Sequence, residues 1–470
     1  MSTERLAPLD LAFWHLESAG HPIHLGALAL FAPEAAGPAP PAHALLSLLA
    51  TRAGAVRKLR TRVRDVLLPV GGAAWTPDRD FDVTRHVHRI RLPGNAPVAA
   101  EAVALAGELM ERPLERGRPP WEMYLLTGED GGPFAVLVKL HHALADGMRA
   151  VAIGSAIFDE IADPRGVRAR ARARIRAAAA APDRPWFGDP GRLFGSARER
   201  IDGLGRAVGV GASVVLASRL DPRALPPSLA AGTSGTRRLG TAVLDAEDIR
   251  LARKASGGTT NDVLLAVVAG GLRRWLAGRG EPLPADGPRA LVPVSRRRPG
   301  GGPGPGNDLS AYLLDLPVAE PDPRARLARI RTAMDRNKEA GPLRGAGALA
   351  VLADQLPPIA HRFGAPLAGG AARILFDLLV TSVPLPRSEL SFGNCPLRSL
   401  YPMAPLARGQ SLAVALTSYG GRIHVGLVAD GAAVPDVGLL ARAMAEELTE
   451  LAALAAPDRP THGADGAAGR

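Results

Sequence analysis

The chain has 470 residues, 47% of them apolar and 22% charged, with 57 Lys+Arg against 46 Asp+Glu and a formal net charge of +11. This balance excludes global disorder, and at roughly 150 residues per domain the length predicts two or three domains with sizeable cores. The one cysteine, Cys395, excludes an intrachain disulfide and a cysteine-based zinc cage.

Taken in chain order, Leu45 to Arg60 reads as a helix and Val98 to Leu109 as another, with Glu101 and Glu108 on its polar face. Phe134 to Leu140 (FAVLVKL) is the clearest strand. It is apolar throughout except Lys139, the pattern of a strand buried on most of its surface. The composition then changes: Arg165 to Arg200 holds ten arginines and three acids, a local net charge of +7 in 36 residues. Strong helix formers without an apolar stripe, then Pro182 and Pro185, mark this as the start of a linker. The predicted organisation is an N-terminal domain over residues 1–164 and a basic, Pro/Gly-containing linker with a helical stretch over 165–235. A C-terminal domain over 236–456 and a disordered tail over 457–470 complete it.

In the second half, Gly240 to Leu244 reads as a short strand. Thr260 to Leu276 reads as a helix capped by Thr259 or Thr260, with Gly278 just past its end. Arg289 to Val294 and Ser310 to Val318 are strands flanking the mobile sequence PGGGPGPG, and Asp322 to Asn337 is a helix. Gln410 to Ser418 and Arg422 to Val428 form a hairpin pair around Tyr419-Gly420-Gly421, and Pro435 to Leu454 is a last amphipathic helix. No window reaches the ~18 uninterrupted apolar residues of a membrane span, and the N-terminus has no signal-type apolar core. The expected location is cytoplasmic, with any membrane contact peripheral.

The sharpest local feature is His141-His142-Ala143-Leu144-Ala145-Asp146-Gly147, directly after the Phe134 strand. Strand parity sends adjacent side chains to opposite faces, so the two histidines cannot play the same role. Gly147 can accept a backbone angle that other residues resist, and Asp146 can brace the resulting turn once a cation or backbone N–H satisfies it. A neutral imidazole at a strand end, its second nitrogen held by a backbone carbonyl, can take a proton from a hydroxyl. The hydroxyl then attacks an activated acyl group, a base contribution of ~10²–10⁴-fold in rate. With a thioester donor the thiolate leaves readily, and no acyl-enzyme is required. Two other readings of these residues stand beside this one. His141 is then a satisfied structural histidine, or the histidines and Asp146 hold a metal; the metal reading lacks a third ligand, so no metal is expected.

HHxxxDG after a buried strand resembles the CoA-dependent acyltransferase superfamily. The chain as a whole resembles the bacterial wax ester synthase/diacylglycerol acyltransferases from Pro8 to about Leu454. Pro8-Leu9-Asp10 with Phe13 and His15-Leu16-Glu17, then His24-Leu25-Gly26-Ala27, is similar to that family's opening block. Arg118-Pro119-Pro120-Trp121-Glu122 resembles its R-P-L-W-E block, and Asn261-Asp262-Val263 its N-D-V block. Ala290 to Ser295, Gly306 to Ser310, Tyr401-Pro402 to Leu406, Gly409-Gln410, Ser418-Tyr419 and Gly426-Leu427 resemble later blocks in the same order.

The resemblance implies two chloramphenicol-acetyltransferase-like α/β domains, each a mixed sheet flanked by helices, with the active site at their interface. It implies long-chain acyl transfer from acyl-CoA, as substrate and without a cofactor, to diacylglycerol or a long-chain alcohol. His142 would be the general base and Asp146 a structural support held in an ion pair; His141 and Asn261 are further catalytic candidates. Substrate-binding candidates are Gly147, Trp121, Asp262, Ser295, Arg296, Arg297, Ser382 and Gln410. For Asn261 and Asp262 the rival reading is helix capping, and for Trp121 it is packing. Arg296 to Arg298 are candidates for CoA phosphates, and His424 reads as structural. The family's N-V-P-G-P block stands here as Ser382-Val383-Pro384-Leu385-Pro386, which replaces an amide and a glycine near the expected site.

Two rival functions remain. A condensation-type or polyketide-associated acyltransferase would take carrier-bound acyl groups. A non-catalytic lipid-surface protein would use the basic linker on anionic headgroups. Nucleic acid is not an expected partner, since aromatics are only 4% of the chain and no zinc-finger or RNA-binding motif is present.

Overall fold

The computed structural model describes residues 4–18, 20–34, 37–67, 70–160, 225–230, 234–295, 309–340, 362, 375–386 and 388–455. The arginine-rich segment, the stretch 296–308 with Arg296, Arg297 and Asn307, and the tail from 456 lie outside the described residues. The first half runs through β1 (Glu4–Arg5), α1 (Pro8–Leu16), β2 (His24–Phe31), α2 (Ala42–Ala55), β3 (Thr61–Asp65) and β4 (Ala73–Pro77). It continues with β5 (Val87–Arg91), α3 (Val98–Glu111), β6 (Trp121–Thr127), β7 (Phe134–His141), α4 (Gly147–Ile157) and β8 (Asp159–Glu160). The second half adds β9 (Arg237–Asp245), α5 (Ala246–Ser256), α6 (Thr260–Gly278), β10 (Arg289–Ser295), β11 (Leu309–Asp315) and α7 (Pro323–Ala340). It closes with β12 (Leu378–Pro384), β13 (Leu390–Phe392), β14 (Cys395–Met403), β15 (Leu412–Tyr419), β16 (Arg422–Asp430) and α8 (Val437–Ala455).

Among the described residues the strands form a seven-stranded sheet in the order β5-β6-β7-β2-β14-β13-β8, a six-stranded sheet in the order β11-β10-β12-β15-β16-β9, and a small sheet β1-β4-β3. Both large sheets are mixed. β5 pairs parallel to β6, and β12 parallel to both β10 and β15, while their other ladders are antiparallel. This is the two-domain α/β architecture with mixed sheets and flanking helices.

The strand at Phe134 is buried at all eight positions. Phe134, Val136, Val138 and Leu140 face a core with Trp121, while Ala135 and Leu137 face a second core against α3 and the other sheet. Lys139 tolerates this position because its ammonium donates to the carbonyls of Leu109 (2.9 Å) and Arg112 at the end of α3 and lies 3.4 Å from Glu122. A cation at a helix C-terminus meets both unpaired carbonyls and the negative end of the dipole. α6 is apolar around nearly its whole circumference and is packed on all sides in the C-terminal core.

Several boundaries differ from the sequence reading. The helix at Leu45 stops at Ala55 because Val56 is extended, and Arg57–Arg60 is a separate 3₁₀ turn. α6 includes Gly278 and ends on Arg279, with Gly280 in the left-handed region after it. The hairpin begins at Leu412 rather than Gln410, and Tyr419 pairs with Arg422 across Gly420-Gly421, both at positive φ. β13 and β14, encoded in the C-terminal half, sit in the first sheet, where β14 pairs along β2 from Phe31 to Gly26. The chain thus leaves the second sheet after β12 and returns to it at β15, two crossings beyond the single one that a division at residue 236 describes.

The sheets share an apolar interface that includes Leu28, Leu137, Tyr401, Met403, Ala413 and Val428. The sheets approach closely at Gly426, where a Cβ would lie 1.9 Å from the carbonyl oxygen of Pro402 on β14. Near this seam Thr417 of β15 donates to the Val383 carbonyl (2.6 Å), and the Val383 side chain packs on Gly147. The HHxxxDG turn therefore lies where the two sheets meet.

Candidate active site

His24 opens β2 and His141 closes β7, and the two are direct partners in the antiparallel ladder. Cross-strand partners share a face, so their rings stand together with centroids 6.2 Å apart. Glu17, just past the end of α1, brings one carboxylate oxygen to 3.2 Å from His24 Nε2 and 3.5 Å from His141 Nε2. Its other oxygen accepts from Arg116 (3.2 Å). That guanidinium also donates to the Trp14 carbonyl (3.0 Å) and lies over the Trp14 ring at 4.5 Å. The Nδ1 of His141 accepts the Ala143 N–H at 3.0 Å, which leaves Nε2, the nitrogen facing Glu17, to carry the ring proton. Burial acts to raise the Glu17 carboxyl, but hydrogen bonding from His141 and His24 outweighs it and holds the group well below the usual carboxylate range. Burial pushes the His24 imidazole down to about 4, with Glu17 opposing the fall.

His142 faces elsewhere, as strand parity requires. Its backbone N–H donates to the Ile23 carbonyl (2.9 Å), extending the β2–β7 ladder by one residue. Its ring lies against Phe13 of α1, tilted by 33° with centroids 4.1 Å apart. Burial pushes this imidazole down to about 4, with the residue's own carbonyl and Asp146 acting the other way and His141 adding to the fall. Nδ1 is enclosed without a hydrogen bond of ordinary geometry; the carbonyl expected to hold it is His142's own, facing the ring. Near neutral pH His142 is therefore an uncharged imidazole, directed by an aromatic ring and able to accept a proton.

Asp146 satisfies the expected backbone role. It is the N-cap of α4, accepting the Arg149 N–H at 2.7 Å, while the Arg149 guanidinium reaches Asp10 of α1 at 3.7 Å. Gly147 differs from its expectation. It is the first residue of α4 and its φ is not in the left-handed region, so the turn does not call for glycine conformationally. The requirement is space: a Cβ there would lie 3.2 Å from Val383 Cγ2.

The other candidates separate from this centre. Trp121 is fully enclosed, stacked on His86 at 4.7 Å, and its indole N–H donates to the Leu59 carbonyl at 2.6 Å, which is a packing role. Asp262 and Thr259 form a capping box at the start of α6, and Asn261 occupies the same first turn. Asp262 bonds to Thr259 and not to His142. The amide of Gln410 bridges the Phe376 carbonyl and the Ala407 N–H, fastening the segment before β15. Ser382 is exposed, on the opposite side of β12 from Val383, so Val383 is the residue of that block that meets the motif. Ser295 ends β10 opposite Leu309. His424 is buried between Tyr401 and Tyr419 on the interface face of β16.

Phe13, Glu17, His24 and Arg116 complete the centre without having been assigned roles in the sequence. Beside Arg116 a cavity of about 250 Å³ opens, in which four arginines face three aspartates and Glu115. Its charges balance, which does not favour a phosphate.

The family model for the wax ester synthase/diacylglycerol acyltransferase catalytic domain matches residues 6–264, and that for the WS/DGAT C-terminal domain matches residues 305–452. A probable diacylglycerol O-acyltransferase of Mycobacterium tuberculosis, tgs1, is 32% identical over 461 residues, covering 96% of each chain. A second from the same organism, tgs2, is 30% identical, covering 95% of this chain and 98% of its own. The solved wax ester synthase/diacylglycerol acyltransferase from Marinobacter aquaeolei VT8 superposes with a TM-score of 0.69 at 24% identity, over 96% of this chain and 99% of that one. The first condensation domain of the CDA synthetase shares the fold at a TM-score of 0.58 and 19% identity, covering 96% of each chain. With the paired histidines at the sheet seam and both family domains matched in order along the chain, this protein belongs to the wax ester synthase/diacylglycerol acyltransferase family.

Proposed function

We propose that the chain is an acyl-CoA-dependent O-acyltransferase that moves a long-chain acyl group to the hydroxyl of diacylglycerol or of a long-chain alcohol. The observation that carries this is the uncharged His142, held against Phe13 at the seam of the two sheets, in a chain of this family. With Nδ1 enclosed, Nε2 is the nitrogen that takes the acceptor proton. The acceptor oxygen then bonds to the thioester carbonyl carbon, the tetrahedral oxyanion collapses, and the C–S bond breaks. The departing thiolate recovers the proton from His142, giving ester and free CoA. The thioester supplies the activation, so acyl-CoA alone suffices as donor and no cofactor enters. Asp146 and Glu17 hold the turn and do not exchange protons.

No described helix is long and apolar enough to cross a membrane. Peripheral contact with an anionic membrane or lipid-droplet surface on the cytoplasmic side belongs to the same reading, because the acceptor is a lipid. The test is acceptor-dependent CoA release by the purified full chain, given acyl-CoA and a panel of diacylglycerols and alcohols. Ester formation matched by CoA release supports the reading. Transfer from acyl-carrier protein but not from acyl-CoA would overturn the donor, and vesicle binding with no transfer to any acceptor would overturn the enzyme.

A further inference from the structure

We propose that the β3–β4 hairpin is the element that docks this chain on a phospholipid surface carrying anionic headgroups, with Leu67 and Val70 at its tip entering the interface. The proposal deepens the reading of a lipid acceptor and rests on it. Between Arg57 and Arg64 the sequence places Arg57, Lys58, Arg60, Arg62 and Arg64, and after Asp65 come the apolar residues Val66, Leu67 and Val70. Leu67 is 93% exposed and Val70 55% exposed. Scattered exposed apolar residues are ordinary, but two large ones at one tip next to a cationic run are an interaction signal.

The register of the small sheet sorts its two faces. Val63 pairs with Trp75, and both are buried. Arg5 and Arg64 both pair with Ala74, so these two exposed arginines share the face opposite Val63 and Trp75, while Arg62 on the same face turns to Asp78 and the charge-balanced cavity. Two cations of the run are already paired, Arg62 with Asp78 at 3.4 Å and Lys58 with Glu4 at 3.4 Å, and Asp65 pairs with Arg362 at 3.4 Å, so Arg57, Arg60 and Arg64, all exposed, are the cations offered to headgroups. An apolar tip with cations behind it fits an interface in which hydrocarbon lies below a layer of phosphates. A nucleic acid would use the cations and leave the tip in water.

The tip is also tied to the site. The Val66 N–H donates to the Gly72 carbonyl (3.0 Å), and His15 Nε2 donates to the Gly71 carbonyl (3.2 Å). His15 belongs to α1, whose Phe13 lies against His142. Docking by this tip brings α1 to the lipid surface, so the acceptor reaches His142 without crossing water.

Cys395 is the chain's one cysteine and is buried, so Leu67→Cys can carry an environment-sensitive thiol probe at a defined place. The labelled full chain is mixed with vesicles of phosphatidylcholine containing phosphatidylglycerol, and with phosphatidylcholine alone. The probe should shift to shorter wavelength on the anionic vesicles. In flotation with the same vesicles, the double variant Leu67→Asp/Val70→Asp should bind more than about tenfold more weakly, and Arg64→Glu about fivefold more weakly. CoA release with a short, water-soluble alcohol should match the unsubstituted chain, which shows that the variants are folded and keeps this test separate from that of the acyltransfer reading. A probe that stays in water while the chain floats overturns the proposal. So do variants that float like the parent, or a parent that does not float.

Discussion

Glu17 shows how one carboxylate can fix a catalytic turn it does not belong to. It accepts from Arg116, lies within reach of the His24 and His141 imidazoles, and the Ala143 N–H holds Nδ1 of His141 so that Nε2 faces the carboxylate. Glu17→Gln keeps the shape and removes the charge, leaving buried donors without an ionic acceptor at a stability cost of about 1–3 kcal/mol. Because His142 follows His141 directly, the substitution should lower kcat by roughly 10-fold to 10²-fold through a misplaced base while leaving KM near the parent value. An unchanged kcat in a destabilised variant would make Glu17 purely structural. The position of His142 at the strand end was legible in the sequence, since HHxxxDG is a local motif after an evident strand. The role of Glu17 was not, although its block was recognisable, because residues 17, 24, 116 and 141 meet only when β2 pairs with β7. Candidates such as Trp121 and Gln410 were legible as parts of a pattern. Their hydrogen bonds to Leu59 and Phe376 show that they serve the frame.

At the scale of elements, the fit between the sheets depends on missing side chains. At Gly426 an added Cβ would meet the backbone carbonyl of Pro402 at 1.9 Å, and backbone cannot rotate away. Gly426→Ala should therefore cost about 1–3 kcal/mol or more in chemical denaturation. It should cut acyl transfer beyond its effect on folding, because β14 pairs with β2, the strand that carries His24. Stability and activity like the parent's would show that the seam can widen without consequence. The strands and helices themselves were largely readable from periodicity, turn glycines and caps. The placement of β13 and β14 in the first sheet was not, because strand pattern records which face is buried and not which sheet receives it. Gly147 carries the same lesson in small: its requirement is the approach of Val383, a distant strand, and not its own backbone angle.

For the whole molecule, the two sheets pack across an apolar seam with buried ionisable groups on both sides. In the C-terminal core Arg326 and Glu447 pair at 2.9 Å with almost no exposure, a pair that no local pattern announces. In the N-terminal domain His24 and His142 are both pushed to about 4 from an ordinary value of 6.5 by burial. An unfolded chain binds protons at these positions near 6.5 and the folded chain does not, so acidification through the window from 6.5 to about 4 favours unfolding. His24 alone contributes roughly 3 kcal/mol of loss across it. Glu17, whose carboxyl is depressed, keeps its contribution above the ordinary carboxylate value and loses it only at lower pH. The thermal midpoint should therefore fall as the pH is lowered from about 7 toward 5, and the fall should be shallower in His24→Asn. A midpoint that rises over the same range would contradict the assignment of neutral buried imidazoles. The net charge of +11 has its densest source in residues outside the described structure. The arginines of the small sheet add a second, structured source.

The central claim is that His142 deprotonates the acceptor hydroxyl. CoA release by the full chain with a fixed long-chain acyl-CoA, with and without a diacylglycerol or long-chain alcohol acceptor, tests it most directly when the parent is compared with His142→Ala. The account predicts that acceptor-dependent release falls by ~10²–10⁴-fold in the variant, while acyl-CoA binding and the thermal midpoint stay close to the parent's. Release at the parental rate from a folded His142→Ala chain would contradict it.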